Sequence, residues 1–241
     1  MDLGIAGKVA LVTAGSKGLG RATALALAAE GVGIMLSGRD PDSLASTRAE
    51  VAALGVPVDV RPGDVTDPAE PARLVADTVG RLGSLDILVA NAGGPPPGRA
   101  LDLDDAALES ALNANLLTSV RLVREALPHM RRADWGRICC ITSYTVIQAA
   151  PGLALSNTAR TGLWAWIKTA AQDLASEDAG ITLNMVCPGP HATDRMKQLG
   201  GADVMGDPAD FGSVTAFLCS TQAAFVNGAA IVVDGGATLA L

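Results

Sequence analysis

The run Val9-Ala10-Leu11-Val12-Thr13-Ala14-Gly15-Ser16-Lys17-Gly18-Leu19-Gly20 decides the fold. Four apolar residues in a row suit a buried strand. The glycines that follow let the backbone turn sharply and approach a bulky group. Residues 19–29 then read as a helix. A helix opening straight out of such a turn aims free N–H groups at whatever the turn holds, and an anion fits them best. The order strand, glycine turn, helix separates this reading from an ordinary tight turn.

Outward from this unit the same alternation continues. Residues 34–37, 58–61, 86–90, 138–141, 182–186 and 230–233, most of them short apolar runs, predict six further strands. Residues 41–54, 68–81, 104–131, 153–176 and 208–220 predict helices, the 104–131 helix bending near Pro128. Continuous apolar strands alternating with helices imply a mainly parallel sheet covered on both faces. The economical fold is one doubly wound α/β domain over residues 1–241, with seven strands. No internal repeat or long linker divides it.

Composition narrows the function classes. Eighteen Lys+Arg stand against 25 Asp+Glu, a formal charge of -7, which argues against nucleic acid and against an anionic membrane surface as partner. Apolar residues at 49% exclude a disordered chain. The four cysteines, Cys139, Cys140, Cys187 and Cys219, form no C-x-x-C pair, and there are only two histidines, so no metal site is expected. In their apolar surroundings the cysteines read as buried free thiols in a reducing compartment. The start, Met1-Asp2-Leu3-Gly4, lacks the basic and apolar regions of a signal peptide, and residues 138–159 are too interrupted for a membrane helix. A cytoplasmic location is the expectation.

The turn resembles the Thr-Gly-x-x-x-Gly-x-Gly segment of the short-chain dehydrogenase/reductase family, with Ala14 where the first glycine usually stands. Further segments resemble that family in order: Asp64-Val65-Thr66-Asp67, Asn91-Ala92-Gly93, Asn113-Ala114-Asn115-Leu116, Ser143 after the fifth strand, Pro188-Gly189 with Thr193, and Val233-Asp234-Gly235-Gly236. The resemblance implies a Rossmann fold that binds a nicotinamide dinucleotide. It assigns cofactor contacts to Thr13, Gly15, Ser16, Lys17, Gly18, Leu19, Gly20, Asp64, Val65, Asn91, Ala92, Gly93, Arg160, Pro188, Gly189 and Thr193.

The second strand ends in Ser37-Gly38-Arg39, without the acidic residue that would hold a ribose 2′-OH. Arg39 can instead pair with a 2′-phosphate in a forked geometry, and Lys17 adds a second cation. By resemblance this pair implies NADP(H).

The family's Tyr-x-x-x-Lys pair is replaced. Ser156 stands where the tyrosine belongs and Arg160 where the lysine belongs, in Ser156-Asn157-Thr158-Ala159-Arg160. With the 91–98 segment this resembles a divergent group similar to 3-oxoacyl-carrier-protein reductases, which shares Ser-Asn-x-x-Arg. Serine is a far weaker acid than a phenol, and arginine keeps its charge without releasing a proton near neutrality. Ser143, Ser156, Asn115 and Arg160 are therefore catalytic candidates for polarisation and positioning. Tyr144, the only tyrosine, and His191, in a loop that the resemblance places beside the nicotinamide, are candidate proton donors. His129 reads as a surface residue.

A short loop at about 194–206, carrying Arg195, Met196 and Met205, stands where a helical lid is usual, so the substrate is either a small molecule or carrier-bound. The apolar long helices, with Trp164, Trp166 and Ile167, resemble those that pair in family homodimers and homotetramers. Three readings stay open: a carbonyl or alcohol oxidoreductase, a non-redox enzyme on the same scaffold, and a catalytically silent NADP(H)-binding protein.

Overall fold

A computed structural model describes residues 1–240. Its elements run β1 (Val9–Val12), α1 (Gly18–Ala29), β2 (Gly33–Gly38), α2 (Pro41–Ala52), β3 (Val58–Pro62), α3 (Glu70–Leu82), β4 (Ile87–Ala90), α4 (Asp105–Leu112), α5 (Thr118–Arg132), β5 (Gly136–Ile141), α6 (Ala154–Glu177), β6 (Ile181–Pro188), α7 (Asp194–Gln198), α8 (Pro208–Leu218) and β7 (Ala230–Val233). The strands form one sheet in the order β3-β2-β1-β4-β5-β6-β7, and every pairing is parallel. The doubly wound α/β Rossmann reading of the sequence is the architecture found.

The two-residue period of a strand sorts its side chains between two helical layers. Leu11, Met35, Leu88, Cys140 and Met185 point toward α3, α5 and α6. Their chain neighbours Val12, Ile34, Val89, Cys139 and Val186 point toward α1, α2 and α8. Both faces are thus apolar, so the central strands read as unbroken apolar runs. Each fully buried Leu or Met contributes about 1.5–3 kcal/mol. All four cysteines are buried and free, Cys139 and Cys140 on opposite faces.

Two departures from the sequence reading matter. The predicted 104–131 helix is interrupted not near Pro128, which lies inside α5, but by a π-turn at Asn113–Leu117 between α4 and α5. Pro128 removes one donor within the helix, whereas the π-turn inserts a residue and reorients those around it. Within 194–206, predicted as a loop, residues 194–198 form the single turn α7, capped by Thr193, whose Oγ1 accepts from the Met196 N–H. Among the described residues no helix is long and apolar enough to cross a membrane.

Candidate active site

A cleft of about 560 Å³ opens beyond the carboxyl ends of β1 and β4, the strands between which the sheet order reverses. Its walls come from four consecutive strand ends and a helix. Ser16 and Lys17 follow β1, Arg39 follows β2, Asp64 and Val65 follow β3, Ala92 and Gly93 follow β4, and Asn115 faces them from the π-turn.

The turn after β1 is held to β4 by Thr13. Its hydroxyl donates to the Asn91 carbonyl (2.7 Å) and accepts from the Asn91 N–H (2.9 Å). Gly20 lies so close to the turn that a Cβ would sit 2.3 Å from the Ala14 carbonyl oxygen and 2.9 Å from Asn91 Nδ2. Ala14 itself has φ of +45°, a left-handed conformation that explains why glycine is the family's usual residue there. The N-terminal end of α1 is thereby presented to the cleft. Gly15, Gly18 and Leu19 shape this bend, and Thr193 lies against Gly18 from the other side.

At the end of β2, Arg39 is exposed and makes no ion pair with any described residue. Asp40, next in the chain, is turned away to cap α2. It accepts from the Asp42 and Ser43 N–H groups, and the Ser43 hydroxyl and then Lys17 hold its carboxyl below the usual range. Lys17 Nζ is 3.3 Å from Asp40 in an exposed pair, which holds the lysine only weakly. Ser37 Oγ is buried without a partner. Asp64 is bonded by the Thr66 N–H (3.0 Å) and hydroxyl (2.8 Å); these bonds, with the Arg39 charge, hold its carboxyl low.

The cleft is bounded on this side by Asn115 of the π-turn and Leu155 of α6, and the end of β5 and the rest of α6 lie beyond them. Thr118 Oγ1 reaches both Asn113 O (2.9 Å) and Val65 O (3.2 Å), tying the π-turn to the loop after β3. This holds Asn115 buried, with Nδ2 3.5 Å from Ala111 O and Oδ1 without a partner. Ser143 starts a short 3₁₀ turn, Tyr144–Val146, and its Oγ accepts from the Thr145 N–H (3.2 Å) and lies 3.0 Å from the Thr145 hydroxyl. Ser156 and Arg160 stand one turn apart on the same face of α6. Arg160 is buried, its Nη1 donates to the Ile141 and Thr142 carbonyls beside Ser143, and its Nε has no partner. Burial, and then the Arg195 charge, push its guanidinium down to about 10, so it stays charged near neutrality.

Not every candidate from the sequence gathers here. Tyr144 is half-buried in the 3₁₀ turn next to Ser143, and neither it nor Ser143, Ser156 or Arg160 lines the 560 Å³ cleft itself. His191 is enclosed. Its Nδ1 is 3.0 Å from Gly189 O, its ring meets Phe211 of α8 edge-on at 5.4 Å, and Gly206 covers it. Pro188 ends β6, and Gly189 beyond it packs against Asp234. One contact the sequence reading did not anticipate crosses the site: Arg195 Nη2 donates to the Pro95 carbonyl at 2.6 Å. No local pattern announces a bond between residues so far apart in the chain.

A family model described as "Enoyl-(Acyl carrier protein) reductase" matches residues 13–238. The chain belongs to the short-chain dehydrogenase/reductase family. Among relatives of this family, the 3-oxoacyl-[acyl-carrier-protein] reductase of Staphylococcus epidermidis is 31% identical over 241 residues, covering 95% of this chain and 98% of that protein. L-sorbose reductase from Gluconobacter frateurii, solved with NADPH and L-sorbose, has a TM-score of 0.93 at 29% identity, with both chains fully covered. A 7α-hydroxysteroid dehydrogenase, solved with NADH and a 7-oxo bile acid, has a TM-score of 0.92 at 26% identity, covering 98% and 96%. The family's fold thus carries either dinucleotide, and the choice has to be read from the end of β2.

Proposed function

We propose that this chain is an NADP(H)-dependent oxidoreductase that reduces a carbonyl or oxidises an alcohol, using Ser156 and Arg160 in place of the usual tyrosine and lysine. The observation that carries the reading is the end of β2. Arg39 makes no ion pair with a described carboxylate, Lys17 is loosely held, and of the two nearby acids Asp40 caps α2 while Asp64 is bonded by the Thr66 N–H and hydroxyl. A 2′-phosphate there meets two cations, whereas a ribose 2′-OH finds no free carboxylate to accept its bond.

The residues present fit the whole dinucleotide. The turn from Thr13 to Gly20, through Gly15, Ser16, Gly18 and Leu19, and the start of α1 hold the pyrophosphate. Asp64 and Val65 border the adenine, and Asn91, Ala92 and Gly93 the adjoining sugar. Pro188, Gly189 and Thr193 border the nicotinamide. Two buried atoms without partners, Arg160 Nε and Asn115 Oδ1, are the kind of groups that ribose hydroxyls and an ordered water satisfy. When bound, NADP(H) supplies or accepts the hydride.

Ser143 and Ser156 hydrogen-bond the reacting oxygen, and the Arg160 charge stabilises negative charge developing on it. Asn115 holds the water through which the proton is delivered, with Tyr144 the second candidate. His191 orders the segment before α7 against α8 and takes no part in proton transfer. A homodimer or homotetramer in the cytoplasm, acting on a small-molecule or carrier-bound substrate, completes the reading. The test is NADPH absorbance against a panel of carbonyl compounds. Consumption that depends on the carbonyl and falls at least tenfold in Ser156→Ala supports the reading. No consumption with any of them, by protein that binds NADPH, contradicts it.

A further inference from the structure

Behind the Gly94–Pro95 wall of the cleft lies more positive charge than the described residues balance. Arg160 on α6 and Arg195 on α7 make no ion pair with any described carboxylate, in a chain where acidic residues outnumber basic ones. Arg195 reaches from the segment after β6 to the opposite wall, where its Nη2 meets Pro95 O. Gly94 makes room for it: a Cβ at that position would sit 3.2 Å from Nε and Nη2. The Pro95 carbonyl is the only described acceptor bonded to this guanidinium. Its Nε and Nη1 make no bond to a described residue, and the side chain is only half-buried, so they can take a ligand. Arg160, more than nine-tenths buried, keeps Nε unsatisfied and feels the Arg195 charge. Two like charges that feel each other with no described carboxylate paired to either favour an anion that joins them.

Resting on the redox reading above, we propose that the site selects substrates carrying a carboxylate on the same short chain as the reacting carbonyl or alcohol, and that Arg195 is the residue that selects them. The carboxylate takes the open edge of the Arg195 guanidinium, a forked geometry that suits two oxygens. Arg160 contributes charge from behind. The three prolines at 95–97 stiffen the wall that Arg195 grips, which limits how far the guanidinium can swing to follow another ligand. A neutral ketone of the same size leaves both arginines uncompensated and binds less well.

The rival oxyanion is the pyrophosphate of the dinucleotide, since Thr193 lies against Gly18. The two sources separate in a calorimetric titration of protein saturated with NADP⁺, using 4-oxopentanoate and 3-oxobutanoate against their methyl esters. The acids are expected to bind roughly tenfold tighter than the esters. Arg195→Gln is expected to reduce that preference to under about threefold, while Arg195→Lys keeps part of it. Esters that bind as tightly as acids, acids that do not bind at millimolar concentration, or an unchanged preference in Arg195→Gln would each overturn the proposal. So would an Arg195→Gln variant that loses NADP⁺ affinity roughly tenfold while its preference stays intact, because the guanidinium would then belong to the pyrophosphate. If NADP⁺ fails to bind the unmutated protein, the redox reading alone fails. The acid and ester titrations are then run on the free protein, where both arginines stand as described.

Discussion

Adding one methyl group at two helical glycines should change stability in opposite directions. Gly80, near the end of α3, is exposed and has nothing within 4 Å of the place a Cβ would occupy, so Gly80→Ala gains only helix propensity and reduced unfolded-state freedom. That is worth about 0.5–1 kcal/mol. Gly20→Ala gains the same amount, but its Cβ would lie 2.3 Å from the Ala14 carbonyl oxygen and 2.9 Å from Asn91 Nδ2. Relief requires backbone to move by about 1 Å, a strain of about 1–3 kcal/mol. The net expectation is a loss of about 0–2.5 kcal/mol, centred near 1, at Gly20 and a gain of about 0.5–1 kcal/mol at Gly80. With a shift of about 2–4 °C per kcal/mol for a chain of this size, thermal unfolding separates the two variants clearly. Gly20→Ala also displaces the N–H groups at the start of α1, so NADPH affinity should fall roughly tenfold or more, while Gly80→Ala leaves it unchanged. Two variants moving in the same direction, or a Gly20→Ala protein of full stability and affinity, would refute the close-approach reasoning.

Ala14→Gly relieves a left-handed alanine worth about 1–2 kcal/mol, against about 0.4–1 kcal/mol of added unfolded-state freedom, so chemical unfolding should show a net gain of about 0.5 kcal/mol. Arg160→Met removes a buried charge but strips donors from the Ile141 and Thr142 carbonyls; stability should change by no more than about 1 kcal/mol while NADPH affinity, read by fluorescence titration, falls at least tenfold. Arg39→Glu should lose the preference for NADPH over NADH, and unchanged selectivity in competitive titration would count against the role given to that side chain. Burial pushes the thiols of Cys140 and Cys187 up, so native protein at about pH 8 should show no fast-reacting thiol with a chromogenic disulfide, and all four cysteines should react after denaturation.

The inner strands β1, β2, β4, β5 and β6 were legible because both of their faces are buried, so they appear in the sequence as largely apolar runs, whereas β3 at the edge is half-buried and shows the alternation Val58-Asp59-Val60-Arg61. The break between α4 and α5 was not legible. A π-turn inserts a residue without any glycine or proline to mark it, while the visible proline, Pro128, sits in a helix that continues past it. The turn α7 carried a weak signal, Thr193-Asp194 as a capping pair, within a segment otherwise rich in loop residues. Residues that line the cleft from strand ends, such as Lys17, Arg39 and Asp64, could be named from local motifs because each lies within a few residues of its strand. His191 shows the limit of such naming. Its position in the loop after β6 was readable, but the direction of its ring depends on Phe211 and Gly206, which a linear pattern does not connect to it. The bond from Arg195 to Pro95 was hidden for the same reason.

The central claim, that this site holds NADP(H) through Arg39 and Lys17, is tested most directly by calorimetric titration of nucleotide-free protein with NADPH and with NADH. The account predicts one site per chain, micromolar or tighter for NADPH, with NADH weaker by roughly tenfold or more, the weight of the charge-assisted bonds that a 2′-phosphate adds. Equal affinities, a preference for NADH, or no binding of either would contradict it.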